Sequence, residues 1–295
     1  MELCLGTVQF GTQYGIQGNA RPRKQEVFDI ITDALAHGIH WFDTASAYGT
    51  AEELLGDYIE EHPGISKEIN IASKLAPNAL TNIPTEKKRE IILSKIQESL
   101  NRLHRQQLDV YMFHNASHIF DEEAVAALDA VRHEGLARSI GVSVYTPLEA
   151  MKALSYPQIE VIQVPYNVFD RRLDQCGFFV EAKKKNVTVF ARSSLLQGLA
   201  VMDANRLPAH MEFASPYLKV FHSICDSASS SPLHAAISSV AGHPGIDYLL
   251  FGVDNQDQLS NYLSFVSKPL PQEVESALRA AFDKVEEKLV NPSLW

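Results

Sequence analysis

The sequence predicts a single α/β domain over residues 1–295, in which eight parallel strands close into a (β/α)8 TIM barrel. Short apolar strands alternate with amphipathic helices along the whole chain, which is the pattern of a parallel sheet covered by helices. The length also suits a barrel of this kind. The first strand leads into Leu5-Gly6-Thr7-Val8-Gln9-Phe10-Gly11, which lacks the three-glycine spacing of an open dinucleotide-binding sheet, so the closed barrel is favoured.

Eight segments have the length and apolar content of buried strands. They are Leu3–Leu5, Ile39–Asp43, Ile69–Lys74, Leu108–Phe113, Ser139–Ser143, Val161–Val164, Val187–Ala191 and Tyr248–Phe251.

Helical periodicity follows each of these strands. The first helix ends at Gly38, and Thr50-Ala51-Glu52-Glu53 has the pattern of a capping box that opens the second. The segment 195–232 is less regular and is expected to hold one helix. The helices are predicted around Val27–Leu35, Leu54–Ile59, Ile92–Leu103, Glu122–His133, the start at Pro147, Arg172–Lys185, Tyr217–Cys225, Leu233–Val240, Asp257–Val266 and Glu273–Leu289.

Composition excludes several classes of protein. The net charge of −10 is spread over the chain, which argues against a nucleic-acid surface. No apolar run approaches the length of a membrane span, and the N-terminus lacks the pattern of a signal peptide. Cys4, Cys176 and Cys225 share no metal-type spacing, so we expect no metal site and free thiols. A cytoplasmic protein with no membrane or nucleic-acid partner is therefore predicted.

Four ionisable side chains are expected at one mouth of the barrel. Asp43, Lys74 and His114 come at the ends of the second, third and fourth strands, and Tyr48 lies on the loop after Asp43. In a barrel all strands end at the same mouth, so these side chains should converge. A carboxylate at the end of a buried strand needs a partner, and Lys74 is the simplest one for Asp43.

This set is suited to giving a proton to a carbonyl oxygen. A free phenol has a pKa near ~10, and we expect the Lys74 ammonium to lower the pKa of Tyr48 while Asp43 holds Lys74 in place. His114 would donate a hydrogen bond to the substrate oxygen. No good nucleophile is present and one histidine is too few for a metal site, so the proton transfer requires a partner such as a hydride-carrying cofactor.

The same residues carry a resemblance to a known family. Phe42-Asp43-Thr44-Ala45 with Tyr48-Gly49, Ser73-Lys74 and the run 109–114 resemble the aldo-keto reductase family, and the match continues through 141–143, 163–167 and 251–253. The resemblance implies a TIM barrel and an NAD(P)H-dependent oxidoreductase that interconverts a carbonyl and an alcohol by hydride transfer. It also implies that Asp43, Tyr48, Lys74 and His114 form the catalytic tetrad, with Tyr48 as the general acid and base.

The resemblance also implies a set of cofactor-binding positions. Ser143 and Gln163 match residues that hold the nicotinamide carboxamide, although Val144 stands where an asparagine is often found. Arg192 occupies the place of an aromatic ring that often stacks on the nicotinamide, and a planar guanidinium can stack too. The full set is Gly6, Thr7, Ser143, Gln163, Arg192, Ser193, Leu195, Gly252, Val253, Asp254 and Gln258.

The identity of the nicotinamide cofactor stays open at the sequence level. NADP(H) is more usual in the family, but the segment 252–259 has no lysine or arginine where many relatives carry one for the 2′-phosphate. Asp254 and Asp257 add negative charge there, which favours NAD(H) unless a cation such as Arg192 reaches over. We therefore expect NAD(P)H, with NAD possible.

Two alternatives to a carbonyl reductase remain, namely a cofactor-sensing subunit without catalysis and a redox-neutral lyase or epimerase that retains its NAD(P). The intact tetrad argues against the sensor. The substrate is expected to be a small carbonyl compound, with a sugar or sugar derivative suggested by mixed aromatic and polar groups near the mouth. These are Tyr14, Phe120, Tyr145, Asn167, Gln197 and Trp295.

Overall fold

The computed structural model describes residues 1–295 and contains a closed barrel of eight parallel strands. Each strand pairs with the next in sequence, and the last pairs with the first, which confirms the predicted fold class. The strands are β1 (Glu2–Gly6), β2 (Trp41–Asp43), β3 (Asn70–Leu75), β4 (Leu108–Phe113), β5 (Ala137–Ser143), β6 (Val161–Pro165), β7 (Thr188–Arg192) and β8 (Tyr248–Gly252).

Helices surround the barrel and connect its strands. The α-helices are α1 (Val8–Gly11), α2 (Lys24–Ala36), α3 (Ala51–Glu61), α4 (Thr85–Arg102), α5 (Glu122–His133), α6 (Pro147–Ala153), α7 (Arg172–Gln175), α8 (Phe178–Lys184), α9 (Ser215–Ser227), α10 (Pro232–Ala241), α11 (Gln256–Val266), α12 (Gln272–Ala281) and α13 (Glu287–Val290). Four 3-10 helices cover Ala116–Phe120, Leu196–Val201, Ala209–Ala214 and Pro292–Leu294.

The core has three parts. The largest cluster fills the space between the outer surface of the barrel and its helices, and a second one packs the segment after β7 against α9, α12 and α13. The third is small and includes Cys4, Met112 and Phe190 from β1, β4 and β7. Because these side chains fill the barrel, it is a packed core, and the site must be at the mouth.

Strand register places the key positions side by side at the carboxyl ends. Gly6 of β1 lies between Asp43 of β2 and Gly252 of β8, and Ser143 of β5 pairs with Gln163 of β6. The ends of five strands therefore contribute to one surface before any side-chain contact is considered.

Two predicted helices are interrupted. The helix predicted over Arg172–Lys185 is divided into α7 and α8, because Gly177 between them has φ +74, a left-handed conformation that does not continue a helix. The helix predicted over Glu273–Leu289 stops after Ala281 and resumes only as the short α13.

The predicted capping box at Thr50 is wrong. The Thr50 side chain caps no backbone N–H of α3; its hydroxyl instead accepts a hydrogen bond from Arg21 at 3.3 Å. Glu52 points inward, accepting bonds from the Ser73 hydroxyl at 2.6 Å and from Arg102 Nε at 2.7 Å. Glu52, the residue before the carboxylate of the predicted box, thus ties α3 to β3 and α4.

None of the helices combines the length and apolar character needed to cross a lipid bilayer.

Candidate active site

Asp43 and Lys74 form a buried ion pair at the ends of β2 and β3. Lys74 Nζ donates to both carboxylate oxygens of Asp43 at 2.7 Å and to the Thr44 carbonyl at 2.9 Å. The Lys74 side chain is completely buried and that of Asp43 nearly so. Gln163 Nε2 gives Asp43 a further hydrogen bond at 2.7 Å. The partner predicted for Asp43 is therefore present, and the pair is held in one geometry.

The loop that carries Tyr48 is fixed by a close backbone approach. Gly11 and Gly49 pack so tightly that a Cβ on Gly11 would lie 1.6 Å from the Tyr48 carbonyl oxygen. A Cβ on Gly49, which has φ +55, would lie 2.3 Å from the Gly11 oxygen. The phenol oxygen of Tyr48 lies 3.5 Å from Lys74 Nζ. Tyr48 is thus placed against the ion pair by its backbone.

Burial changes the expected acidity of Tyr48. It raises the pKa of the phenol well above its usual value, the Asp43 carboxylate raises it further, and only the Arg192 charge opposes them. The expectation that the pKa of Tyr48 is lowered is wrong, because burial and the Asp43 carboxylate outweigh the nearby positive charge. Tyr48 therefore stays protonated at neutral pH, as a proton donor must.

His114 stands beside Tyr48 as a neutral imidazole. The two ring centroids are 5.5 Å apart and the planes are nearly perpendicular. Burial, followed by the charges of Lys74 and Arg192, lowers the pKa of His114 to about 3. A neutral imidazole carries one N–H, which can donate to an oxygen in the site while the other nitrogen accepts. The predicted role as a hydrogen-bond donor fits this state.

The tetrad faces a cavity of about 490 Å³ at the barrel mouth. Asp43, Tyr48 and His114 line it, whereas Lys74 lies behind Asp43. Ten of the eleven predicted cofactor residues also line it: Gly6, Ser143, Gln163, Arg192, Ser193, Leu195, Gly252, Val253, Asp254 and Gln258. The structure thus brings the two predicted groups into one cavity.

Thr7 is the predicted cofactor residue that does not line the cavity. It is fully buried, and its hydroxyl donates to the Asp43 carbonyl oxygen at 3.1 Å. Its side chain is engaged in joining the end of β1 to the end of β2, so it positions Asp43 instead of facing a ligand.

Arg192 lies toward the catalytic part of the cavity. Its Nη2 donates to the Val144 carbonyl at 2.9 Å, and its Nη1 donates to the Ser193 hydroxyl at 3.1 Å. The guanidinium carbon is 4.4 Å from the centroid of the Tyr145 ring. These contacts hold it near Tyr145, and it makes no ion pair with Asp254.

The loop after β8 is closed by polar contacts of its own. Asp254 Oδ2 accepts hydrogen bonds from Asn19 Nδ2 at 2.7 Å and from Gln258 Nε2 at 3.2 Å. Asn19 belongs to the loop that follows α1, so this contact joins opposite ends of the sequence across the cavity rim. The loop after α1 is held at a second point, where the Ile16 backbone N–H donates to the Gln197 carbonyl at 3.2 Å.

Sequence reasoning missed Gln9 and Asn19 as cavity residues. Gln9 packs so closely on the end of β8 that a Cβ on Gly252 would lie 2.3 Å from its side-chain oxygen. That oxygen is buried and has no hydrogen-bond partner. The glycines at 11, 15 and 18 could have signalled a loop folded over the mouth, but not which of its side chains would face inward.

The cavity fits a nicotinamide dinucleotide. Gly6 and Gly252 line it at the ends of β1 and β8, the unpartnered Gln9 oxygen can accept from a ligand hydroxyl, and Ser143 and Gln163 supply polar atoms at β5 and β6. The Ser143 hydroxyl donates to Gln163 Oε1 at 3.1 Å, so the pair presents a preformed polar edge.

The expected substrate residues divide into two groups. Tyr14, Tyr145 and Gln197 line the cavity, whereas Phe120, Asn167 and Trp295 do not. Asn167 is buried and its side-chain oxygen accepts from the backbone N–H groups of Phe169 and Asp170. The indole N–H of Trp295 donates to the Lys288 carbonyl, seven residues earlier in the same C-terminal segment. Pro292 is the residue of this segment that lines the cavity.

Comparison with known proteins points to one family. The sequence pattern of the Aldo/keto reductase family matches residues 2–283. Aldo-keto reductase YhdN of Bacillus subtilis is 27% identical over 252 residues, covering 78% of this chain and 76% of that protein. The NADH-specific methylglyoxal reductase of Escherichia coli is 28% identical over 214 residues, covering 66% of this chain and 64% of its own.

Solved structures show the same fold. The holo form of an aldo-keto reductase from Bacillus halodurans superposes with a TM-score of 0.74 at 22% identity. The superposition covers 95% of this chain and 91% of that one.

Proposed function

The chain belongs to the aldo/keto reductase family, and we propose that Tyr48 is the proton donor of its NAD(P)H-dependent carbonyl reduction. The observation that supports this role most directly is the position of a buried, protonated phenol against the Lys74–Asp43 pair and beside neutral His114. When bound, the cofactor supplies the hydride that adds to the carbonyl carbon.

The chain's own residues handle the oxygen and its proton. The His114 N–H donates to the carbonyl oxygen, and the Tyr48 hydroxyl gives up its proton as negative charge develops there. The phenolate left behind lies 3.5 Å from the Lys74 ammonium, which stabilises it until a proton returns. Asp43 and Gln163 fix the direction of Lys74, because both are hydrogen-bonded into the same network. Each reduction consumes one proton and one hydride.

The cofactor residues are proposed in two groups. Ser143, Gln163 and Arg192 surround the nicotinamide end, and the other predicted residues that line the cavity, together with Gln9, hold the remainder of the dinucleotide. Thr7 contributes by holding Asp43.

We propose that NAD(H) is the preferred cofactor. The loop after β8 lies where many relatives receive the 2′-phosphate, and the cavity side of this loop carries the Asp254 carboxylate with no lysine or arginine beside it. Arg192 is bonded to Val144 and Ser193, so it does not neutralise Asp254. A phosphate next to an uncompensated carboxylate would be repelled, whereas a ribose hydroxyl could donate to it.

A hydroxylated carbonyl compound, such as a sugar or sugar derivative, is the proposed substrate class. The phenols of Tyr14 and Tyr145 and the Gln197 amide offer polar contacts around the catalytic residues, and the aromatic rings offer apolar faces. We also propose that the protein works in the cytoplasm, since its three cysteines are free and Cys176 is exposed.

Replacing Tyr48 with Phe tests the proton donor. The phenylalanine variant keeps the ring and loses the hydroxyl, so the dissociation constant for NADH should change little while kcat falls by on the order of a thousandfold. Cofactor binding is followed by fluorescence titration, and turnover by NADH absorbance with a panel of aldoses and simple aldehydes.

The same assay separates the alternatives. A cofactor-sensing subunit would bind NADH but would not oxidise it with any carbonyl of the panel. A redox-neutral lyase or epimerase would convert substrate without net NADH consumption. Full turnover by Tyr48→Phe would refute the assignment of Tyr48 as the donor.

A further inference from the structure

Arg192 is the only lysine or arginine side chain that lines the active-site cavity. The other strong cation of the site, Lys74, is fully buried, lies behind Asp43 and is paired with both of its oxygens. His114 is neutral, because burial and the two cations lower its pKa. The positive charge that the cavity offers to a ligand is therefore that of one guanidinium.

The Arg192 guanidinium has no counter-ion. It lies within 4.0 Å of no carboxylate, and its partners are a carbonyl oxygen, a hydroxyl and the face of the Tyr145 ring. Its Nε–H is buried and has no acceptor. A guanidinium has five N–H donors, and the two bonds to Val144 and Ser193 leave several unused. The unused donors of a half-buried guanidinium suit an oxyanion. A carboxylate or phosphate accepts two parallel N–H bonds in the plane of the guanidinium.

The Arg192 charge lies in the part of the cavity that contains the proposed catalytic residues. Arg192 lines the same cavity as Tyr14, Tyr48 and His114, and its positive charge acts to lower the pKa of all three. Its contacts with Val144 and Tyr145 keep it on the β5 side of the mouth, away from Asp254. An anion held there would belong to the molecule whose carbonyl faces Tyr48.

We propose that Arg192 recognises an oxyanion on the substrate, so that the preferred substrate is a hydroxylated aldehyde or ketone that also carries a carboxylate or a phosphate. This inference rests on the proposed function and narrows its substrate class. Tyr145 stacks on the guanidinium and fixes its plane, which makes it a positioning residue for the same anion.

Matched substrates test the charge directly. D-glucose, D-glucuronate and D-glucose 6-phosphate share an aldose framework and differ in a neutral, carboxylate or phosphate group, and glyceraldehyde with its 3-phosphate gives a shorter pair. The wild-type kcat/KM should favour at least one anionic member over its neutral partner by on the order of tenfold to a hundredfold. The two anionic arms distinguish a carboxylate from a phosphate.

Substitution of Arg192 should remove the preference. In Arg192→Gln the ratio of anionic to neutral kcat/KM should fall to about one, and Arg192→Lys should keep part of it because the charge remains. Arg206→Gln is the matched control, since Arg206 lies outside the cavity and its side chain is 87% exposed. Its ratio should equal that of wild type. The dissociation constant for NADH is measured for each variant.

Several outcomes would overturn the proposal. One is a wild-type preference for neutral substrates, and another is an unchanged ratio in Arg192→Gln. A third is an equal loss of kcat/KM for all substrates together with weakened NADH binding, which would assign the guanidinium to the cofactor alone. If no carbonyl is reduced at all, the proposed function fails. The anion site is then tested by measuring the dissociation constants of glucuronate and glucose 6-phosphate for the complex of the protein with NAD. These dissociation constants must still rise in Arg192→Gln if the anion proposal is correct.

Discussion

His114 shows how a single buried ring couples the site to pH. Its pKa is about 3 in the folded chain, because burial and two nearby cations oppose protonation, and ~6.5 in the unfolded chain. At a pH above the pKa of the unfolded chain, His114 is neutral in both the folded and the unfolded state. In that range it does not make the stability of the protein depend on pH. As the pH falls below it, only the unfolded chain takes up the proton, so the folded state loses stability.

We therefore predict that His114→Gln flattens the acid side of the stability profile. Between pH 7 and pH 5 the wild type should lose about 2 kcal/mol of unfolding free energy that the variant does not lose. Urea unfolding at pH 5, 6, 7 and 8 measures the difference. The difference in unfolding free energy between wild type and His114→Gln should be constant between pH 7 and 8 and should change below pH 7. If it stays constant down to pH 5, the pKa of His114 is not depressed.

At the scale of elements, the turn after β1 and the loop after β2 hold each other in place. Gly11 and Gly49 approach so closely that neither can carry a side chain without displacing backbone. The Thr7 hydroxyl adds a bond to the Asp43 carbonyl at the base of the same contact. The position of Tyr48 is thus decided by the packing of two connections and not by the residue itself.

Gly11→Ala is predicted to reduce both stability and turnover. The added methyl would lie 1.6 Å from the Tyr48 carbonyl oxygen, so the loop must move, at a cost of about 1–3 kcal/mol or more. Displacing Tyr48 from Lys74 should lower kcat more than it weakens NADH binding.

Gly64→Ala is the matched control for that change. A methyl on Gly64 meets no atom within 4 Å, and the variant should unfold within about 0.5 kcal/mol of wild type with unchanged kcat. If Gly11→Ala behaved like Gly64→Ala, the close backbone approach would not position Tyr48.

The helices illustrate what local patterns can and cannot predict. Periodicity located α2, α4 and α5, since their apolar faces repeat at helical spacing. The motif at Thr50 misled because the Thr50 backbone is not extended, and its hydroxyl accepts a hydrogen bond from Arg21, which lies 29 residues away. No local rule identifies partners at that separation.

At the scale of the whole molecule, the cavity has an uneven distribution of charge. Arg192 is near the catalytic residues, and Asp254 stands at the loop after β8. Asn19 closes the rim by bonding Asp254 across 235 positions of sequence. This arrangement brings a negative group to the part of the cavity where we propose that the adenosine end of the cofactor binds.

The predicted consequence is a preference for NADH that Asp254→Arg reverses. Removing the carboxylate and supplying a cation should shift the ratio of NADPH to NADH affinity by on the order of tenfold or more. Fluorescence titration with both cofactors measures it. Asp257→Arg adds the same charge to an exposed residue outside the cavity and should shift the ratio much less. Tighter NADPH binding by the wild type would indicate a cation elsewhere.

The sequence by itself determined the barrel and the convergence of three predicted site residues at one mouth. Strand and helix periods are local properties, and parallel strands in a barrel share one mouth, so Asp43, Lys74 and His114 had to converge once the eight strands were recognised. The tertiary structure alone decided how those groups behave. Four features depend on burial and on partners distant in sequence. They are the acidity of Tyr48, the inward orientation of Glu52, the contact of Asn19 across the cavity rim and the unpaired charge of Arg192. Desolvation and Coulomb energies are set by the surrounding atoms in space, and a one-dimensional pattern does not contain them.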